Sequence, residues 1–150
     1  MPLTFQQERL RDTYEEIKPL VPEHWEYVTT DEWPADVDWD AMLRLEDIGI
    51  LRLMAARSDG RLVGYAIFIL APALHYRNKL LAHDDAFFLS KPYRKGGNGI
   101  AMFRAAEAML RAAGADRIVC HEKFTKVDLS AFFTRLGFRV SERNWFKDLT

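Results

Sequence analysis

The chain has 150 residues, 49% of them hydrophobic and 29% charged, with a net charge of −1 at pH 7. This length suits a single domain with one sizeable core, and the composition is ordinary for a soluble globular protein. The near-zero net charge argues against a nucleic-acid binder that relies on a strong positive field. The one cysteine, Cys120, excludes an internal disulfide and is expected to be a buried core residue.

No targeting or membrane segment is recognisable in the sequence. The N-terminus lacks the basic and apolar regions of a signal peptide, and the longest apolar run, residues 65–74, is too short to span a bilayer. The four histidines are scattered singly, without the spacing of metal ligands. We therefore expect a cytoplasmic protein with no metal, no nucleic-acid partner and no membrane partner.

The first half of the chain is predicted to form three strands and two helices. In chain order these are a strand at residues 3–6, helices at 11–20 and 39–48, and a hairpin of strands at 50–57 and 62–70. Residues 23–38 are predicted to be a loop. The pair Asp59-Gly60 marks the hairpin turn, because such turns need two residues that accept positive φ.

The second half is predicted to continue the sheet after a polar connection at residues 75–82. The elements are a strand at 84–89, a helix at 98–113, a strand at 117–121, a helix at 127–136 and a closing hairpin at 138–141 and 144–147. Gly114 is expected to end the longest helix. The fold class is therefore α/β (α+β), with a mixed, mostly antiparallel sheet of about six to seven strands and about four helices.

The most informative segment is Arg94-Lys95-Gly96-Gly97-Asn98-Gly99, which lies between an apolar strand and a helix. Glycines let the backbone approach a ligand and adopt positive φ, and the first N–H groups of a helix attract anions. Arg94 and Lys95 add formal positive charge. The segment therefore predicts a site for a phosphate-bearing cofactor.

Two common phosphate loops do not fit this segment. A Walker A loop needs Lys and then Ser or Thr after its last glycine, where this chain has Ile100 and Ala101. A dinucleotide loop needs a third glycine, where this chain has Met102. The remaining pattern, Arg94-x-x-Gly97-x-Gly99, is also compatible with a plain basic turn and a glycine-assisted helix start.

This pattern resembles the pyrophosphate loop of the GNAT acetyltransferases, which bind acetyl-CoA. Residues 131–138 resemble that family's helix ending in aromatic-aromatic-x-x-x-Gly-Phe, and residues 59–65 resemble its hairpin with hydrophobic-Gly-hydrophobic. The order of elements matches over nearly the whole chain, which is similar to small stand-alone bacterial and phage members. The resemblance implies one GNAT-like domain over 1–150, with a splay between the strands at 84–89 and 117–121.

The resemblance also implies how acetyl-CoA would bind. The pantetheine arm would pair with the backbone of Phe88 and Leu89, the pyrophosphate would rest on the loop, and an N–H near Leu89 would polarise the acetyl carbonyl. The residues expected to bind the cofactor are Phe88, Leu89, Arg94, Lys95, Gly96, Gly97, Asn98, Gly99, Ile100, Lys126 and Phe133.

Two of these positions depart from the family pattern. Many GNAT enzymes have a tyrosine where this chain has Phe133, and its hydroxyl protonates the departing thiolate; phenylalanine has no such proton. Lys126 stands where an asparagine is frequent, and it either reaches a CoA phosphate or is a solvated lysine. The chain therefore uses another acid, relies on water or has weak activity.

Acetyl transfer to an amine needs a proton acceptor and a proton for the thiolate. Asp84 and Asp85 begin the strand beside the splay, and alternation predicts that they point to opposite faces, with Asp85 the preferred base. His121 ends the strand across the splay and suits proton transfer. Tyr76, on the preceding loop, is an alternative proton donor. For each residue a purely structural role stays open.

Residues 31–40 contain five acids and two tryptophans. Acids and aromatic faces attract ammonium groups, so the predicted function is N-acetyl transfer from acetyl-CoA to a primary amine on a small or peptidyl cationic acceptor. The competing interpretation of this segment is a solvated loop whose Asp38 caps a helix. The alternative function is a CoA-binding protein with little or no catalysis. By analogy with the family, a homodimer through Trp145 and Phe146 is also expected.

Overall fold

The chain folds around a five-stranded sheet whose strands lie side by side in chain order, and the computed structural model describes residues 2–150. The strands are β1 (Thr4–Glu8), β2 (Leu51–Ser58), β3 (Arg61–Pro72), β4 (Leu80–Leu89) and β5 (Arg117–Val119). Neighbouring strands from β1 to β4 are antiparallel, and β5 is parallel to β4. This arrangement confirms the predicted mixed α/β class, with fewer strands than expected.

Helices cover both faces of this sheet. They are α1 (Leu10–Ile17), α2 (Val21–Val28), α3 (Trp39–Asp47), α4 (Asn98–Ala112) and α5 (Ser130–Arg135), with short 3-10 turns at Lys18–Leu20 and Lys91–Tyr93. Alternating side chains of β3 divide the core: Phe68 packs with Phe103 and Leu110 of α4, whereas Ile67 packs with Ile17 of α1 on the opposite face. Each such burial contributes about 1.5–3 kcal/mol.

The sheet opens between its last two strands. The β4–β5 pairing ends where His83 lies opposite Val119. From Asp84 to Leu89 the outer edge of β4 has no strand partner among residues 2–150. This opening confirms the predicted splay between the strands at 84–89 and 117–121.

A β-bulge in β4 lies at the start of the splay. Ile67 of β3 pairs with Ala86, whereas the next residue, Phe68, pairs with Asp84, so Asp85 is left over in the register. A bulge bends its strand and is often found beside an active site. The bulge thus coincides with the end of the β4–β5 pairing.

The predicted loop at residues 23–38 is wrong in its first part, because α2 occupies Val21–Val28. Pro22 lies in the first turn of this helix, where its missing N–H costs nothing. Later in the same segment, the Oδ1 of Asp38 accepts a 2.8 Å hydrogen bond from the Ala41 N–H and caps α3. The capping role proposed for Asp38 is therefore confirmed.

Two other boundaries also differ from prediction. β4 begins at Leu80 rather than 84, because residues 80–83 pair with β3 and shorten the predicted polar connection. The closing hairpin at 138–141 and 144–147 forms no strand. The sheet ends at β5, which has three residues, and an isolated two-stranded hairpin is marginal in water. Trp145 and Phe146 are consequently exposed.

None of the helices formed by residues 2–150 has the length and apolar character needed to cross a bilayer.

Candidate active site

A cavity of about 450 Å³ lies in the splay between β4 and β5. Most of the residues selected from the sequence line it, namely Asp84, Asp85, Phe88, Leu89, Arg94, Lys95, Gly97, Asn98, Gly99, Ile100, His121, Lys126 and Phe133. Gly96 and Tyr76 do not line it, and Tyr76 is 65% exposed in the turn before β4. A larger groove of about 930 Å³ lies beside the C-terminal segment, away from the glycine-rich loop.

The glycine-rich loop presents backbone donors to the cavity. Gly97 has φ +78° and is the N-cap of α4, and its carbonyl accepts a 2.9 Å hydrogen bond from the Ala101 N–H. Within residues 2–150, no protein acceptor takes the N–H groups of Gly97, Gly99 or Ile100. Unpaired N–H groups at a helix start form a site for an anion.

Close packing explains two other glycines near the cavity. A Cβ on Gly64 of β3 would lie 2.6 Å from the Phe88 carbonyl oxygen. A Cβ on Gly99 would lie 3.3 Å from the ring of Phe132 on α5. The glycine of the hairpin motif therefore lets β3 approach the part of β4 that lines the cavity.

Asp84 and His121, which the sequence nominated separately, form a pair at the splay. The Asp84 carboxylate accepts hydrogen bonds from the His121 backbone N–H at 3.0 and 3.1 Å, and its Oδ1 lies 2.7 Å from Nδ1. An ionised carboxylate only accepts hydrogen bonds, so Nδ1 carries the proton and the lone pair of Nε2 is free. The pair can therefore accept a proton at Nε2.

Burial sets the protonation behaviour of the two aspartates. It raises the pKa of Asp84 above its usual value, although the bonds from His121 act in the opposite direction. Burial raises the pKa of Asp85 as well, and the negative charge of Asp84 adds to the effect. Both groups bind a proton more readily than ordinary aspartates.

The bulge explains why both aspartates line one cavity, although strict alternation predicts opposite faces. Ala82 belongs to the core under α4, and after the bulge Phe87 and Leu89 contact the same core. The parity of the strand thus changes between residues 82 and 87. Nothing in the local sequence marks this change.

Sequence analysis missed the wall that α2 contributes. His24, Trp25 and Tyr27 line the cavity. His24 stacks on Phe88 at 4.9 Å between ring centroids, and its Nδ1 lies 2.7 Å from the Tyr65 hydroxyl. Burial, with the nearby charges of Arg94 and Lys123, lowers the pKa of His24 to about 4, so this imidazole is neutral at neutral pH. Pro22 was the one local indication of a helix start here.

A lysine already places an ammonium group at the cavity. The Nζ of Lys123 lies 3.7 Å from Oδ2 of Asp31 and 5.6 Å from the centroid of the Trp25 ring. The Nε1–H of Trp25 in turn donates to the Trp33 carbonyl at 3.4 Å. Part of the acidic, aromatic segment therefore contacts two residues that line the cavity.

The remaining candidates have structural surroundings. Phe133 packs edge-to-face against Phe103 and Phe132 and brings no exchangeable proton. Burial raises the pKa of the Cys120 thiol well above its usual value, so it is not a thiolate at neutral pH. Residues 2–150 contain no cluster of three or more His, Cys, Asp or Glu side chains suited to a metal ion.

A splayed sheet with a glycine-rich loop at the start of α4 is the arrangement that the resemblance to the acetyltransferases implies. The profile of the acetyltransferase (GNAT) family matches residues 8–138, and the chain belongs to this family. Curated protein sequences give no significant match.

Solved structures of low sequence identity share the fold. A ribosomal-protein-alanine N-acetyltransferase from Brucella melitensis biovar Abortus 2308 has a TM-score of 0.75 at 16% identity, covering 99% of this chain and 100% of that chain. An aminoglycoside acetyltransferase from an uncultured soil metagenomic sample, solved with sisomicin, gives 0.77 at 13%, with 99% and 97% coverage. The enzyme AAC(6')-Iy, solved with the bisubstrate analogue CoA-S-monomethyl-acetylneamine, gives 0.75 at 17%, with 100% and 99% coverage.

Proposed function

We propose that residues 1–150 form one domain that transfers an acetyl group from acetyl-CoA directly to a primary amine. The observation that carries this proposal is the meeting of two features in one cavity: the unpaired N–H groups of the glycine-rich loop and the Asp84–His121 pair. The first suits a pyrophosphate, and the second suits the proton transfer that amide formation needs.

The chain's own groups fit acetyl-CoA, which supplies an activated acetyl group when bound. The N–H groups of Gly97, Gly99 and Ile100 would bind the pyrophosphate, and Lys95 and Lys126 line the same cavity with positive charge. The free edge of β4, at Phe88 and Leu89, would pair with the pantetheine amides as a neighbouring strand does.

His121 is assigned the role of base. Its Nε2 would take the proton that the amine loses as the new C–N bond forms, while Asp84 holds the ring and stabilises the imidazolium. When the C–S bond breaks, the same imidazolium would return the proton to the sulfur. Phe133 therefore need not supply a proton. Asp85, with its raised pKa, lies beside this pair as a second proton acceptor.

We propose a small or peptidyl cationic amine as the acceptor. The support is Lys123, whose ammonium group lies beside Asp31 and over the Trp25 ring. The ammonium group of an acceptor would take the place of the Lys123 Nζ beside this carboxylate and indole face, since two ammonium groups at one place repel each other.

The test is a thiol-release assay with acetyl-CoA and a panel of amines: spermidine, a lysine-containing peptide and, as neutral controls, anilines. The proposal expects thiol release with the cationic amines and an acetylated product by mass spectrometry. Release with anilines alone would overturn the cationic acceptor. If acetyl-CoA binds but no amine of the panel causes thiol release, the result would favour the alternative, a CoA-binding protein with little or no turnover.

The homodimer remains part of the proposal. Val140, Trp145 and Phe146 are each at least 80% exposed in the C-terminal segment, and exposed apolar groups often mark an interface. Light scattering at several protein concentrations should give the mass of a dimer, and a monomer throughout would contradict it.

A further inference from the structure

Arg94 begins the glycine-rich loop, yet its side chain is engaged inside the protein. Its Nη2 lies 3.3 Å from Oε1 of Glu23, and its Nε donates to the Leu89 carbonyl. Its guanidinium carbon lies 3.9 Å from the centroid of the Tyr27 ring and 5.4 Å from that of Phe88. The charge that the sequence offers to a phosphate is thus paired with a carboxylate of α2.

The docking of α2 depends on these contacts. No residue of α2 is fully buried, and besides the packing of Val21 on the core and of His24 on Phe88 the helix is held by the contacts of Arg94. Glu23 and Tyr27 are four residues apart and therefore lie on one face of the helix. Glu23 Oε1 also accepts a 2.9 Å hydrogen bond from the Lys91 N–H, which joins α2 to the turn before the loop.

The same helix forms the wall of the cavity through His24 and Trp25. Movement of α2 would displace the Trp25 ring beneath Lys123, where we place the acceptor. It would also displace His24, which stacks on Phe88 at the proposed cofactor-binding edge of β4. Lys95 and Lys126 also line the cavity, and among residues 2–150 neither forms a salt bridge. These lysines are the side-chain cations available to a phosphate.

We propose that Arg94 is a positioning residue that fastens α2 to the end of β4, so that the cofactor loop and the acceptor wall keep one arrangement. This inference rests on the proposed acetyltransferase function. It assigns Arg94 no contact with the cofactor phosphates, and it gives Glu23 and Tyr27 the role of its partners.

The deciding comparison uses two acyl donors, acetyl-CoA and acetyl-pantetheine, which lacks the pyrophosphate. A residue that binds phosphate affects only acetyl-CoA, whereas a residue that shapes the wall affects both donors. We expect Arg94→Lys and Glu23→Gln to lower kcat/KM by about 10- to 100-fold for either donor, since small displacements of reacting groups have effects of this size. The matched variant Lys95→Ala should impair acetyl-CoA selectively.

Glu23→Gln also distinguishes a phosphate-binding Arg94 from a positioning Arg94, because the two roles predict opposite effects of this substitution on acetyl-CoA. If Arg94 bound phosphate, removal of the competing carboxylate would leave acetyl-CoA binding unchanged or tighter, and that result would overturn the inference. A loss confined to acetyl-CoA in Arg94→Lys would overturn it as well. The double variant should lose less than the two single losses combined, because both substitutions break the shared contact between Arg94 and Glu23.

Tyr27 provides a check on folding. Tyr27→Phe keeps the ring beneath the guanidinium and Tyr27→Leu does not, so the leucine variant should be the poorer catalyst with both donors at a similar unfolding temperature. Equal rates for the two variants would contradict the stacking role. Wild-type protein that binds and turns over neither donor would overturn the proposed function and this inference with it, whereas an active wild type with an acetyl-CoA-specific effect would overturn the inference alone.

Discussion

Glu8, at the corner of β1 and α1, and Asp84, at the splay, each expose 14% of their side chain to solvent. Glu8 accepts hydrogen bonds from Nε and Nη2 of Arg57 at 2.7 and 2.8 Å, and these bonds lower its pKa to about 2. Asp84 has a histidine as its partner, and burial prevails and raises its pKa. The guanidinium keeps Glu8 charged, whereas at Asp84 burial outweighs the hydrogen bonds from His121, so the pKa values of the two carboxylates move in opposite directions although the exposed fraction of each side chain is the same.

The Arg57 corner extends this contrast. The same guanidinium also bonds both carboxylate oxygens of Glu16, at 2.8 and 2.9 Å, and so joins β1, α1 and β2. The Asp84–His121 pair joins no helix to the sheet and lines the cavity instead. We therefore expect damage at the corner to appear in stability and damage at the splay to appear in turnover.

The largest expected effect is on catalysis at the splay. His121→Gln should lower kcat by about 10²–10⁴-fold, the range for loss of a general base, with little change in acetyl-CoA affinity. Steady-state rates and acetyl-CoA affinity measured for both proteins provide the check, and an unchanged kcat would assign the base elsewhere.

The next largest effect is on stability at the corner. Glu8→Gln breaks the paired hydrogen bonds with Arg57 and should lower the free energy of unfolding by about 2–3 kcal/mol. Urea unfolding at neutral pH measures this change. Asp84→Asn is the matched control: it removes a charge that burial disfavours, so its unfolding free energy should be no lower than that of the wild type. Equal losses in the two variants would contradict the comparison.

The acid dependence of stability should differ in sign between the two sites. The pKa of Glu8 is lowered from 4.5 to about 2, so its stabilising contribution is complete above about pH 4.5 and is lost as the pH falls toward 2. The raised pKa of Asp84 has the opposite consequence, since protonation relieves a buried charge. We therefore expect the free energy of unfolding, measured with urea at several acid pH values, to fall less steeply with decreasing pH in Glu8→Gln than in the wild type. In Asp84→Asn it should fall more steeply than in the wild type.

The smallest effect concerns two glycines with similar backbones. Gly97 has φ +78° and Gly114 has φ +89°, and a Cβ on either meets no atom within 4 Å. Alanine at either position should cost about 1–2 kcal/mol, the usual penalty of the left-handed region. Only Gly97→Ala should also raise KM for acetyl-CoA, because that backbone lines the cavity where we propose that the pyrophosphate binds. A matching rise in Gly114→Ala would show that the loop has no special role.

Local chemistry explains what the sequence could predict. The glycine-rich loop, the Asp59-Gly60 turn and the apolar face of α4 each depend on residues close in the chain, and these elements are confirmed. The helix α2 could not be predicted from an apolar face, because it has no fully buried residue and polar contacts of Glu23 contribute to its docking.

Long-range geometry accounts for the rest of the candidate site. Asp84 and His121 were each candidates, but their pairing joins residues 37 apart across the splay. The bulge that brings both aspartates to one cavity arises from the register with β3. The C-terminal hairpin was wrong because its alternating pattern has no long edge on which to pair.

The most direct test of the central claim is a calorimetric titration of the folded wild-type protein with acetyl-CoA. The account predicts saturable binding of one molecule per chain, with a dissociation constant of about 1 μM to 1 mM, the usual range for enzyme substrates. If no binding is detected at acetyl-CoA concentrations up to about 1 mM, the upper end of this range, the result would contradict an acetyl-CoA site in the splay and, with it, the proposed reaction.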